Sequence, residues 1–383
     1  MQQLKSKLPN IGTTIFTTMT NLANELGAIN LSQGFPDFDG HDFLKERLAY
    51  HVNHGANQYA PMAGIPRLNQ AISDKVNRHY NRQVDPQKEI TVTLGATEAL
   101  FDAIQCVVNA GDEVIVFDPA YDSYEPAIEL ASGQCLHLQL NSDDFSIPWQ
   151  ALEGAITDKT RLIILNSPQN PCGTVISSRD LDQLWQIVKD RDIFLLSDEV
   201  YEHIIFDNLQ HESLLRHDNL AQRSFVVSSF GKTFHMTGWR VGYCIAPTHL
   251  SAEFRKVHQY VTFSIPNPLQ NALADMLEKH PEHAIELPAF YQHKRDFFAN
   301  ALSTSLFDLR PCFGSYFQLV DYSKISDLGD LDFCYWLAQK AGVVAVPVSV
   351  FYQTPLSDQR LIRFCFCKGE ALLAKAARRL CRI

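Results

Sequence analysis

The chain has no run of residues long and apolar enough to cross a bilayer: its longest largely apolar stretch, 341–351, is short and contains Pro347. Its first residues, MQQLKSKLPNIG, lack the apolar segment of a secretory signal. There is no CxxC pair. Nine cysteines, an odd number, are scattered from Cys106 to Cys381, a usage that fits reduced thiols and not a disulfide framework. Cys365 and Cys367 alternate with apolar residues in LIRFCFC and are expected to pack within a strand. Positive charge is also short, with 33 basic against 43 acidic residues and a net charge of −10, so nothing resembles a nucleic-acid footprint. No HExxH motif or cysteine–histidine cluster appears, and the isolated pair His51 and His54 reads as solvated or capping histidines, so no metal is expected. Repeats and low-complexity tracts are missing as well. What remains is 46% hydrophobic and 20% charged, an ordinary globular balance. At 383 residues the chain has room for two or three domains. A soluble, non-secreted, cytoplasmic protein is expected, with small molecules and neither nucleic acid nor membrane as partners.

One further absence is local. Gly231-Lys232-Thr233 reads like the end of GxxxxGK[ST], whose leading glycine would fall on Val226. Without that glycine the loop cannot turn tightly around phosphates. Lys232 is then either a nucleophilic amine or a solvated surface lysine.

From about residue 90 to 250, apolar β-branched runs alternate with helical patterns: ITVTLGA, VIVFDPA, CLHLQL, RLIILN, IFLLSDE, FVVSS and RVGYCIA. Short strands of this kind between helices predict an α/β fold with a largely parallel sheet covered on both faces. Ligands collect beyond the carboxyl ends of such strands. The informative residues lie there: Gly95-Ala96-Thr97, Asp118 to Tyr121, Asn166 to Asn170, Asp198 to Tyr201 and Ser228 to Lys232. After Ala246 the alternation stops. Helical stretches near 250–261 and 266–305, the strand-like YFQLVDY, a helix near 331–341, VVAVPVSVF, LIRFCFC and a closing helix suggest a second, α+β domain. The first 40 residues hold few clear elements and end in the Gly-Pro loop of LSQGFPDF.

Taken as one site, the strand ends describe specific chemistry. Gly95, Ala96 and Thr97 open a helix whose free N–H groups favour an anion. Ser229 and Arg240 flank Lys232, and an arginine suits phosphate. Asp198 ends an apolar strand and needs a cation if buried. Asn170 and Tyr201 offer donors, and Tyr121 an aromatic face. A phosphate cup, an amine, a carboxylate for a ring nitrogen, donors for a phenolic oxygen and a stacking ring together match pyridoxal 5′-phosphate. Taken singly, each residue has an ordinary explanation: a solvated lysine, a surface ion pair, a cap, half-buried packing or a turn. Their conjunction at successive strand ends does not.

The motifs NSPQNPCGT (166–174), SDEVYEHI (197–204) and SSFGKTFHMTGWRVGY (228–243) resemble the pyridoxal phosphate-dependent class I/II aminotransferases of the aspartate aminotransferase fold. The resemblance runs from about residue 8 to the C-terminus. It is closest to the methionine, glutamine and kynurenine aminotransferases, and LSQGFPDFDG, NQYAPMAG, TLGATEAL and FDPAYDSYEPAI are most similar to the bacterial methionine enzymes of that subgroup. It implies a large domain with a mixed, mainly parallel seven-stranded sheet, a smaller α+β domain built from both chain ends, and a homodimer with shared sites. The expected division is an N-terminal arm and part of the small domain at 1–40, the cofactor-binding domain at 41–280, and the small C-terminal domain at 281–383.

The resemblance also implies individual roles. Lys232 matches the lysine that holds pyridoxal 5′-phosphate as a Schiff base, Asp198 the partner of the ring nitrogen, and Tyr201 and Asn170 the residues at the ring oxygen. Gly95, Ala96, Thr97, Ser229 and Arg240 match the phosphate cup, and Tyr121 the stacking ring. Tyr59 matches a tyrosine sent across the dimer to the other subunit's phosphate. Arg363, helped by Gly34 and Asn170, matches the clamp on the substrate α-carboxylate; from the residues alone it reads as an outward charge on an alternating strand. Phe16, Tyr59, Tyr260 and Phe263 fall in segments that the family places near the substrate, which suggests an apolar or aromatic side-chain pocket. The implied reaction moves the α-amino group of an apolar, sulfur-containing or aromatic amino acid, methionine favoured, to a 2-oxo acid by a ping-pong mechanism. Lys232 serves as tether and then as base. The nearest rival is β-elimination from cysteine S-conjugates or cystathionine on the same scaffold. A cofactor-sensing regulator would need a DNA-binding module ahead of the match, for which the start near residue 8 leaves no room.

Overall fold

The computed structural model describes residues 5–383, so the first four residues of the N-terminal segment lie outside the described residues. Seven strands form the large sheet: β1 (Ile90–Thr93), β2 (Glu113–Asp118), β3 (Gln134–Gln139), β4 (Thr160–Asn166), β5 (Phe194–Asp198), β6 (Ser224–Ser229) and β7 (Gly242–Ile245). Their order is β1-β7-β6-β5-β4-β2-β3, with only β7 antiparallel to its neighbours. Each of the seven apolar runs in the sequence supplies one strand. Successive residues point to opposite sides of a pleat, and Ile115, Ile163, Leu195 and Val226 enter one core while Val114, Val116, Leu162, Ile164, Leu196, Phe225 and Val227 enter the other. Both faces are therefore dry, which is why these strands read as continuous apolar runs and not as alternating ones.

A second sheet of four strands combines Asp308–Leu309, Phe317–Asp321, Val346–Pro347 and Leu361–Cys365. Its core unites Met19, Ala23, Ile29 and Leu31 from the start of the chain with Phe298, Phe333, Leu337, Phe364 and Leu380 from its end. Ile29–Asn30 pairs in parallel with Val343–Val344 and joins the two ends directly.

Three expectations need adjusting. The first 40 residues contain a regular helix, Ile15–Leu26, capped by the Thr14 hydroxyl and ended by Gly27 in the left-handed region. Its threonines and asparagines are poor helix formers, which hid it from inspection; burial of Met19 and Ala23 holds it in place. The stretch 266–305 is two helices, Asn267–Lys279 and Glu282–Ala301. The break falls at His280, whose φ of −130° is not helical and which precedes Pro281, where the proline ring disfavours helical backbone. Cys365 ends its strand and Cys367 lies just beyond; both are fully buried with their Sγ atoms 3.0 Å apart. His51 bonds Asp275 across 2.7 Å, and His54 caps its helix and bonds the Tyr50 carbonyl. No helix among the described residues is long and apolar enough to cross a membrane.

Candidate active site

The parallel register places the functional strand ends side by side. Asn166 at the end of β4 pairs with Asp198 at the end of β5, and Asp198 pairs with Val227, two residues before Ser229. Adjacent strands lie about 4.8 Å apart, so groups separated by more than 60 positions in sequence meet along one edge. There a cavity of about 190 Å³ is lined by Lys232, Asp198, Arg363, Arg240, Tyr121 and Tyr201, with Ala96, Thr97, Asn170, Ser229, Gly34 and Phe16 completing the set expected from sequence. Gly95 stands immediately behind it. Tyr59 does not reach this cavity: it is 84% exposed and packs edge-on against Phe263, with Tyr260 also on the surface.

One end of the cavity, where a phosphate cup is expected, is built from a tight junction. β1 passes into the helix Gly95–Val107, whose first N–H groups have no acceptor within the helix. Gly95 has a φ of +77°, and a Cβ there would meet Arg240 Nη2 at 2.7 Å. Gly242 of β7 is required for a different reason. A Cβ would come within 2.7 Å of the Ala96 nitrogen and 2.8 Å of the Ser228 carbonyl, so the strand can lie against the cup only as glycine. Nothing in the local sequence marks Gly242 for this role. Arg240 has no carboxylate within salt-bridge distance among the described residues; its one hydrogen bond runs to the Thr237 carbonyl at 3.3 Å. A guanidinium and free helix N–H groups without an anion are a donor set suited to a phosphate.

Asp198 is 3% exposed. It accepts from the Tyr124 hydroxyl at 2.7 Å and distantly from the Val200 N–H at 3.4 Å, and no cationic side chain lies within 4 Å of it among the described residues. Burial lifts its carboxyl to about 6. Such a group calls for a cation, and a protonated ring nitrogen would supply one. The sign of the consequence is definite: with a folded value of about 6 above an ordinary 3.8, its contribution to stability is fully present below pH 4 and is lost as pH rises through 6. In the cofactor-free protein, calorimetry should find the stability advantage of Asp198→Asn over the parent growing from pH 4 to pH 6.5, to about 2–3 kcal/mol, and then flat.

The opposite side of the cavity carries Arg363, the residue expected to clamp a carboxylate. Arg363 is 1% exposed, not outward-facing, and no carboxylate pairs with it among the described residues. Nη1 donates to Asn170 Oδ1 at 2.7 Å, Nη2 donates to the Ser32 carbonyl at 3.1 Å, and Nε has no partner. Aromatic rings surround it: Phe317 at 3.9 Å and Phe16 and Phe351 at 5.3 Å each. Burial lowers its proton affinity. Asn170 is itself fixed, its N–H donating to Asn166 Oδ1 at 2.8 Å while Asn166 Nδ2 donates to the Asp198 carbonyl at 2.9 Å. One chain of contacts therefore links the clamp to the acid.

Lys232 lies between the two. It sits on the short helix Phe230–Thr233 that follows β6, and burial brings its amine down to about 8. Tyr201 and Tyr121 are also raised by burial, Tyr121 to about 12. Tyr124 and Tyr316, which touch Asp198 and Lys232, lie within the stretches FDPAYDSYEPAI and YFQLVDY, but neither residue type at its position signals a partner.

The family pattern described as aminotransferase class I and II matches residues 27–380. The methionine aminotransferase of Escherichia coli K12 is 55% identical over 376 residues, covering 98% of this chain and 97% of that protein. Human kynurenine–oxoglutarate transaminase 1 is 33% identical over 408 residues, covering 97% and 96%. The crystal structure of YbdL from Escherichia coli, whose description identifies a methionine aminotransferase function, superposes with a TM-score of 0.97 at 53% identity over the whole of both chains.

Proposed function

The chain belongs to the class I and II aminotransferases and has their aspartate aminotransferase fold, and from that membership we propose that its amino donor is an apolar, sulfur-containing or aromatic amino acid, methionine first. It is a pyridoxal phosphate-dependent transaminase acting on an amino acid and a 2-oxo acid. The observation that carries the donor assignment is the surroundings of Arg363: Phe16, Phe317 and Phe351 offer apolar surface, and among the described residues the cavity lining has no cation besides Arg363, Arg240 and Lys232. A dicarboxylic donor would need another.

In this reading Gly95, Ala96, Thr97, Ser229 and Arg240 hold the cofactor's phosphate, Tyr121 stacks on its ring, Asp198 faces the ring nitrogen, and Tyr201 and Asn170 serve the phenolic oxygen. When bound, the cofactor supplies an electrophilic carbon and an electron-withdrawing ring. Lys232 would hold it covalently, and its neutral amine, once free, would take a proton from the substrate Cα. Asp198 stays ionised beside the protonated nitrogen. Arg363, with Gly34 and Asn170 beside it, fixes the carboxylate and so the direction of the Cα–H bond. Borohydride reduction of the loaded full-length protein, followed by peptide mapping, should place the added mass on Lys232; attachment elsewhere would overturn the site. A panel of amino acids against 4-methylthio-2-oxobutyrate, pyruvate and 2-oxoglutarate tests the donor. Pyruvate and ammonia formed without an acceptor would favour β-elimination.

The domain division at residues 40 and 280, a cytoplasmic location and a homodimer belong to the same reading. The separate core shared by the chain ends supports the division, and the exposed aromatic group of Tyr59, Tyr260 and Phe263 supports pairing of two copies. If Tyr59 serves its partner, Tyr59→Ala and Lys232→Ala should each be slow alone. Mixed dimers should regain activity, because one of their two sites has both residues intact; mixing without recovery in an activity assay would remove Tyr59 from the shared site.

A further inference from the structure

The Lys232 amine is held by two acceptors, the Gly34 carbonyl and the Tyr316 hydroxyl, and the reading above leaves Tyr316 without a role. Nζ lies 2.9 Å from the Tyr316 hydroxyl and 3.3 Å from the Gly34 carbonyl, and that hydroxyl lies 2.6 Å from the same carbonyl. A phenol has one proton. Because the carbonyl can only accept, Tyr316 donates to Gly34 and turns its lone pairs toward the lysine, which must donate in return. The phenol has little freedom to do otherwise. It is 1% exposed and wedged among Tyr201, Tyr291 and Phe317, with ring centroids at 5.0, 5.7 and 4.9 Å.

A neutral amine that gives both N–H groups to fixed acceptors keeps one lone pair, and its direction is then set. We propose that Tyr316 is a positioning residue that receives the Lys232 amine whenever it is free and aims its lone pair at the site where the substrate Cα must sit. The proposal rests on Lys232 being the reacting amine. A lysine side chain has rotamer entropy to lose, and a base must lie within hydrogen-bond reach of the proton it takes. A pre-set acceptor removes both costs before substrate arrives. Asp198, Arg240, Cys365 and Cys367 also face the amine, and they are unchanged in the comparison below.

The test uses full-length protein carrying pyridoxamine 5′-phosphate, the state in which the lysine is free. Competitive labelling with acetic anhydride across pH, read by mass spectrometry of the peptide containing residue 232, gives the midpoint of that amine. Hydrogen bonding to the hydroxyl favours the charged form, so Tyr316→Phe should lower the midpoint by about one pH unit. Tyr291→Phe is the matched control, since Tyr291 is buried against Tyr316 and its hydroxyl has no partner; its midpoint should equal that of the parent. No shift in Tyr316→Phe, or an equal shift in both variants, overturns the proposal. Failure of the underlying reading looks different: the parent's own residue-232 peptide would titrate near the ordinary lysine value of 10.5.

Discussion

Lys232→Ala is expected to lower the rate of amino transfer by at least about 10⁴-fold, the upper range for loss of a general base. The expectation is this large because no other group can substitute. Among the described residues the cavity lining contains no second lysine and no histidine, cysteine or glutamate. Asp198 is bonded to Tyr124 and committed to the far side of the site, and the phenols of Tyr121 and Tyr201 are raised by burial beyond useful basicity. Lys232→Arg should fail almost as badly, although it keeps the positive charge, because a guanidinium is not deprotonated in a protein and offers no lone pair. Steady-state formation of the 2-oxo acid from methionine and a second oxo acid is the measurement. Turnover within tenfold of the parent in either variant would take Lys232 out of the chemistry.

Much of this site was legible because a parallel sheet converts sequence into position. Seven apolar runs announce strands, and the residues that end them must share one edge; Asp198, Asn170, Ser229 and Lys232 were found on that ground. The rest was hidden for physical reasons. Arg363 occupies an alternating strand of the small sheet, where its residue type argues for solvent, and only tertiary packing against Phe317 and Asn170 shows it buried. Gly242 is demanded by a strand-to-helix approach that no local pattern encodes. Tyr316 meets Lys232 across 84 positions of chain through a hydroxyl, and a tyrosine beginning an apolar strand reads as core. The helix Ile15–Leu26 depends on burial rather than on propensity.

The buried charges of the cavity are unbalanced in a pattern that matches what it receives. Buried Asp198 has no cation and buried Arg363 no carboxylate among the described residues. A buried charge without a counter-ion is destabilising, so each represents stability withheld until a partner of the opposite sign arrives. For Arg363 the proposed partner is the substrate carboxylate, and the prediction has two readouts. Arg363→Met should lower kcat/KM for methionine by roughly 10²- to 10³-fold, the cost of removing one side of a buried charge pair, about 3–4 kcal/mol. Most of the loss should appear in KM. Saturating methionine or an unreactive carboxylate analogue should raise the melting temperature of the parent, since a ligand at a hundred times its Kd adds about 2.7 kcal/mol, and should leave that of Arg363→Met where it was. Equal ligand-induced stabilisation of the two proteins would show that the carboxylate is held elsewhere. Arg363 would then be a buried cation satisfied by Asn170, the Ser32 carbonyl and three aromatic rings alone.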